Sequence, residues 1–231
     1  MNPFRLFGPD HLAALGLTAA LSILLVVWTR RAPGRDRRAI AYWLIGIMLT
    51  SQVFEQTVWM LSGTWRLKDS LPVELCDFAC FATVIALWTR RQDVFEFAYF
   101  WGFSGTLQAL LTPALAGGFP DSEFFRFFAM HSGIVVALFV LTAGSGMAPR
   151  PGAARRVFFW TVAYAVCVGV LDWIVGANYF YLRDKPSGSL LDLFGPWPFY
   201  ILGGLGIAAL LFFLLTLPYR RRRNMPRVTS G

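Results

Sequence analysis

Leu71 to Cys80, LPVELCDFAC, is the stretch on which the reading of this chain turns. It opens an apolar run over 71–89, yet within seven residues it holds Glu74, Cys76, Asp77 and Cys80. A soluble loop would carry such residues freely, but the apolar run predicts a membrane helix. Ionisable side chains inside a spanning segment are costly, so they face a bundle interior or cavity and mark a functional site by default. Pro72 suits the first helical turn, where its missing N–H costs nothing. Cys76, Cys80 and Thr83 then share one helix face, and Glu74 and Asp77 another. Little circumference is left for lipid, and the segment reads as the buried centre of the protein.

The rest of the chain supports a membrane reading. Of 231 residues, 56% are hydrophobic, 16% aromatic and only 15% charged, and the mean hydropathy is +0.54. Soluble domains carry roughly 25% charged residues. Seven stretches have the length to cross a hydrocarbon core of ~30 Å: 10–29, 39–61, 71–89, 94–116, 123–146, 157–180 and 195–218. Turn chemistry separates several of them, at Ala32-Pro33-Gly34, Gly117-Gly118-Phe119-Pro120, Pro149-Arg150-Pro151-Gly152 and Lys185-Pro186-Ser187-Gly188. The expected fold is all-α, a polytopic seven-transmembrane-helix bundle: a segment over 1–9, a membrane domain over 10–218 and a basic tail over 219–231. The first apolar run reads as a retained helix and not a cleaved signal peptide, because the heaviest positive charge follows it.

Charge sets the expected orientation. Of the 21 lysines and arginines, 15 fall on the first, third and fifth loops and the tail, and 6 on the opposite side. The positive-inside rule puts the N-terminus outside and the tail in the cytoplasm of a multi-pass cell-membrane protein. The net charge of +8 therefore belongs to helix ends and anionic head groups, and no nucleic-acid partner is expected.

Depth follows from a rise of ~1.5 Å per residue. Cys76 falls roughly 7–8 Å below the outer interface, His131 and Asp172 roughly 12 Å, and Gln52 and Glu55 roughly 9–14 Å. Gln108 and Asn178 belong to the same outer half, while Glu96 is the main charge near an inner helix end. Polar groups from five helices at one depth predict a single cavity open to the outer leaflet.

Within it, Cys76 and His131 are the natural pair for nucleophilic catalysis, since an imidazole that takes a thiol proton creates the nucleophile. Each also has a plainer reading, Cys76 as a small buried hydrophobe and His131 as a helix–helix hydrogen-bonding group. Gln52, Glu55, Gln56 and Trp59 form a stripe on the second helix. From it Glu55 or Gln52 is placed to orient His131, or the stripe simply bonds neighbouring helices. Carboxylates beside a thiol oppose its thiolate, which points Glu74 and Asp77 to structural or substrate-positioning roles. Cys80 and Cys167 read as packing residues, Asp10 as the first helix's N-cap, and His11 as interfacial. HExxH spacing, a phosphate loop and a GxSxG elbow are all absent, so neither metal nor cofactor is expected.

LPVELCD at 71–77, FFRFFAMHSG at 124–133 and GANYFYLRDKPSGSLLDLFGPWPFY at 176–200 resemble the YwaF-type bacterial integral membrane proteins. Those are related to the eukaryotic transmembrane protein 164 family, and the resemblance covers nearly the whole chain. The eukaryotic relatives are described as cysteine-dependent phospholipid acyltransferases, with a fold similar to membrane lipid hydrolases that use a nucleophile–histidine pair. The resemblance implies Cys76 as nucleophile and His131 as its base. The family's Asn-Tyr pair falls on Asn178 and Tyr179, followed by Lys185 and Pro186. The expected protein is thus an enzyme of acyl transfer or acyl-ester hydrolysis on a phospholipid or lysophospholipid of the outer leaflet. Asn178 and Tyr179 would hold the head group or an oxyanion, and Arg183 and Lys185 would meet the phosphate. A transporter, needing a polar route through both leaflets, and a sensor or scaffold with a structural polar cluster are the alternatives.

Overall fold

The computed structural model describes residues 3–185 and 190–223. Pro186, Ser187 and Gly188 of the last turn, and the tail beyond Arg223, lie outside the described residues. Seven helices run through the rest: α1 Pro9–Arg31, α2 Gly34–Leu61, α3 Leu75–Thr89, α4 from Gln92 to Leu111, α5 from Ser122 to Gly144, α6 Ala153–Val175 and α7 Phe199–Arg223. α4 contains a wide π-turn at Gly102–Thr106, and α5 ends in another at Val140–Gly144. The protein is an all-α polytopic membrane bundle. Four helices have both the length and the hydropathy to cross a membrane by themselves: α1, α5, α6 and α7.

The other three depart from that standard for separate reasons. α2 is long enough, but its charged start and its Gln52–Gln56 polar stripe lower its hydropathy. α4 is interrupted by its π-turn. α3 has 15 residues, about 22 Å of helix. It begins four residues later than the sequence predicts, because Glu74, with extended backbone, is its N-cap. Pro72 therefore lies upstream of the first turn and not within it. The Asp77 carboxylate, three residues on, accepts the Glu74 N–H at 3.0 Å, half of a capping box built from two acidic residues.

α5 is the most buried of the four long helices, with 67% of its span inside the bundle against 22% or less for α1, α6 and α7. It packs against α1, α2, α3 and α4, so the centre is shared between α3 and α5. Close approach is paid for with glycine at one point of the α4–α5 contact: a Cβ on Gly102 would overlap Leu138 Cδ1. Trp101 Nε1 donates to Thr161 Oγ1 at 2.8 Å, fastening α4 to α6.

One further expectation changes. Gly8, not Asp10, caps α1, since Pro9 occupies its first turn. His11 is fully buried in the bundle. Its Nδ1 accepts the Phe7 N–H at 3.0 Å, which leaves Nε2–H to donate to the Leu110 carbonyl at 2.8 Å. The imidazole thereby staples the start of α1 to the end of α4.

Candidate functional site

The first turn of α3 brings together Glu74, Cys76 and Asp77 with Gln52 of α2. Because Glu74 is the N-cap, Cys76 is the second helical residue and Asp77 the third. Asp77 Oδ1 accepts from Gln52 Nε2 at 2.7 Å, and its Oδ2 takes the Glu74 N–H. Glu74 in turn accepts the Phe180 N–H at 3.2 Å through Oε2. One chain of hydrogen bonds thus joins α2, the start of α3 and the segment after α6.

The extended residues before α3 are held just as firmly. Tyr164 donates to the Val73 carbonyl at 2.6 Å. Tyr179, 3% exposed, donates to the Leu67 carbonyl and accepts the Leu71 N–H, both at 2.9 Å. Burial pushes the Tyr179 hydroxyl above its usual titration range, so it keeps the proton it donates. Asp172 is fully buried, and its Oδ1 receives the Tyr179 N–H at 3.0 Å. Phe180 and Tyr181 sit at φ +57° and +53°, an uncommon conformation for bulky residues.

Cys76 is partly buried in the core formed around Cys80. Its thiol approaches the Thr106 hydroxyl, which is fully buried and makes no hydrogen bond of full geometry. Thr106 closes the π-turn of α4, a local geometry frequent at functional sites. Nothing in the sequence singled it out.

His131 lies on α5, which packs directly on α3. Its Nδ1 is 2.8 Å from the Phe127 carbonyl, and its ring stacks on Phe127 at 3.9 Å and 21°. A carbonyl only accepts, so in the neutral ring Nδ1 carries the proton and Nε2 the lone pair. Nε2 makes no hydrogen bond among the described residues, and none joins His131 to Cys76. The residue that orients His131 is therefore Phe127, one turn back, and neither Glu55 nor Gln52. Glu55 instead pairs with Arg126 at 3.1 Å, the carboxylate 29% and the guanidinium 12% exposed. Gln56 donates to the Ser70 carbonyl at 2.9 Å and accepts from Trp65 at 3.0 Å. Gln52, Glu55 and Gln56 of the α2 stripe thus serve three different neighbours: α3, α5 and the loop between α2 and α3. Arg126 lies within the fifth apolar stretch, 123–146, and a charge inside a spanning segment is the signal that marks it.

At the end of the bundle where α3 begins, the mouth of a cavity of about 490 Å³ is lined by Lys68, Asp69, Glu74, Asn178, Arg183 and Asp184, among others. Asn178 is bound within its own loop, accepting the Arg183 and Asp184 N–H groups at 2.9 and 3.1 Å. Arg183 is exposed and lines this cavity. Lys185 instead turns to Asp192 at 2.9 Å and the Gly195 carbonyl at 3.2 Å. Lys68, in the loop before α3, is the second cation of the mouth. The remaining cysteines separate cleanly, Cys80 fully buried and Cys167 exposed on α6. Gln108 is exposed and stands apart from the cluster.

A polytopic membrane bundle with a cysteine in a braced helix start, and a histidine with one unengaged nitrogen on the adjoining helix, defines the class. The TMEM164 family matches residues 6–216, and the chain belongs to that family. It is also 26% identical over 229 residues to a Treponema pallidum (strain Nichols) protein described as "Uncharacterized protein", covering 94% of this chain and 90% of that one. No solved structure matches.

Proposed function

We propose that this protein is a membrane lipid-modifying enzyme that carries an acyl group on Cys76, in acyl transfer or acyl-ester hydrolysis on phospholipids. The observation that carries the reading is the protonation pattern of His131: Nδ1–H is committed to the Phe127 carbonyl, which leaves Nε2 as the basic nitrogen. In the proposed reaction Nε2 takes the Cys76 proton and the sulfur bonds to the ester carbonyl carbon. The ester C–O bond breaks, and the leaving lysolipid oxygen receives the proton from His131. A lysophospholipid hydroxyl or water then attacks the thioester, the C–S bond breaks, and the acceptor's proton returns through His131 to the sulfur. The reaction requires Nε2 to come within hydrogen-bonding reach of the Cys76 sulfur. Thr106 bears on the sulfur, and Arg183 with Lys68 offers positive charge to a lipid phosphate at the mouth. On this reading the site works from the outer leaflet of the cell membrane, with the N-terminus outside.

The competing reading is a transporter or scaffold with a structural polar cluster. It is favoured by how fully Gln52, Asp77 and Tyr179 are already bonded to one another's segments. Purified protein separates the two. Wild type, Cys76→Ala, His131→Ala and Cys80→Ala are incubated with a lipophilic thiol probe and with acyl-labelled phospholipid. The enzyme reading expects labelling and turnover that Cys80→Ala keeps, Cys76→Ala loses, and His131→Ala slows. Wild type that is folded, unlabelled and inert toward every phospholipid and lysophospholipid class would overturn it.

A further inference from the structure

The arginine-rich end of the bundle, opposite the Cys76 site, has a second cavity of about 700 Å³ between α6 and α7. Its walls are apolar, formed by Phe158 of α6 and Ala209, Phe212 and Phe213 of α7, and its mouth carries Arg150 and Arg155. The charge at that mouth is out of balance. Glu96, 2% exposed, receives Arg150 through Nε at 2.8 Å and Nη2 at 3.1 Å, and Arg156 through Nη2 at 2.9 Å. One carboxylate therefore answers two guanidinium groups. Arg155 is exposed and forms no ion pair among the described residues. The nearby Arg91 has its own partner, Asp93, at 2.8 Å. Three guanidiniums against one carboxylate leave two positive charges in excess beside an apolar slot whose own lining holds Arg150 and Arg155.

That combination selects an amphiphile. A soluble anion would gain from the rim and nothing from the aromatic walls, while a zwitterionic lipid would gain from the walls and little net from the rim. The Glu96 contacts also hold the Arg150 fork in place, so part of the rim is ordered before any ligand arrives. We infer that the α6–α7 cavity is a binding site for an anionic phospholipid, its phosphate at Arg155 and Arg150 and an acyl chain along Phe158 and Phe212. The site is separate from the proposed chemistry and stands whether or not Cys76 is a nucleophile.

The test is native mass spectrometry of the full chain in detergent, titrated with dioleoyl phosphatidylglycerol, dioleoyl phosphatidylcholine and inorganic phosphate. Wild type is expected to retain one phosphatidylglycerol in preference to phosphatidylcholine. Arg155→Glu, at an exposed position, is expected to weaken that lipid by at least about fivefold, the weight of one basic residue against an anionic lipid. Arg155→Lys is expected to keep it, and Ala209→Trp to expel it by filling the slot with the rim unchanged. Circular dichroism checks that each variant is folded. Equal retention of the two lipids, indifference to Arg155→Glu, or unaltered binding in Ala209→Trp would overturn the inference. Inorganic phosphate displacing the lipid at equal concentration would also overturn it, by making the site one for a soluble anion.

Discussion

Removing the Asp77 carboxylate should loosen the start of α3 more than any other single change near Cys76. Asp77 makes two bonds that end on different elements, Gln52 Nε2 at 2.7 Å and Glu74 N at 3.0 Å. Interhelical hydrogen bonds in membranes average about 0.6 kcal/mol and reach about 1.7. The Gln52 bond is short, buried and belongs at the upper end, about 1.5 kcal/mol. The N-terminal cap adds about 1 kcal/mol. Asp77→Ala should then cost about 2.5 kcal/mol. Asp77→Asn should cost under about 1 kcal/mol, because Asn Oδ1 still takes the Glu74 N–H and the Gln52 amide turns over to accept from Asn Nδ2. Gln52→Leu leaves Oδ1 unpaired and should cost about 1.5 kcal/mol. Reversible SDS unfolding in mixed micelles measures all three, and the Gln52→Leu/Asp77→Ala cycle gives the coupling. Asp77→Ala within about 0.5 kcal/mol of wild type, or no coupling in the cycle, would refute the bracing of this turn.

Other expectations concern the same interior. Arg126→Ala should cost about 1–2 kcal/mol, below the 3–5 of a fully buried pair because both partners keep some exposure; adding Glu55→Leu should recover most of it, read by the same unfolding assay. Gly102→Ala should cost about 1–3 kcal/mol because its Cβ would overlap Leu138. Gly133→Ala, whose Cβ would lie 2.9 Å from Cγ of the fully buried Met48, should cost less than Gly102→Ala, because about 1 kcal/mol of helix propensity offsets part of a milder overlap. Tyr179→Phe removes a donor and an acceptor from the backbone before α3, and should increase proteolytic cleavage within 62–74.

Hydrophobic run length made the seven helices legible, since the bilayer imposes a minimum that few other constraints mimic. The polar stripe on α2 was also legible, because 3.6-residue periodicity alone aligns Gln52, Glu55 and Gln56. Its partners were not, since pairing depends on helix rotation, which periodicity leaves free. Thus Glu55 meets Arg126, and Phe127 orients His131. α3 starts four residues beyond the beginning of its apolar run: Pro72 tolerates a helical first turn, and only the hydrogen bond from the Glu74 N–H to Asp77 moves the cap downstream. Thr106 carries no sequence signal, because its place beside Cys76 comes from a π-turn, a backbone choice made by packing. At the mouth Lys185 is claimed by Asp192 and Lys68 lines the cavity, a pairing between loops that residue spacing does not encode.

The central claim, an acyl group carried on Cys76, is tested most directly by intact mass and peptide mapping of protein mixed with phospholipid and quenched in acid. The account predicts an acyl adduct on the Cys76 peptide, released by hydroxylamine and absent in Cys76→Ala. His131→Ala should form it more slowly. An adduct that survives hydroxylamine, that sits on Cys80 or Cys167, or that never forms while lipid is turned over would contradict it.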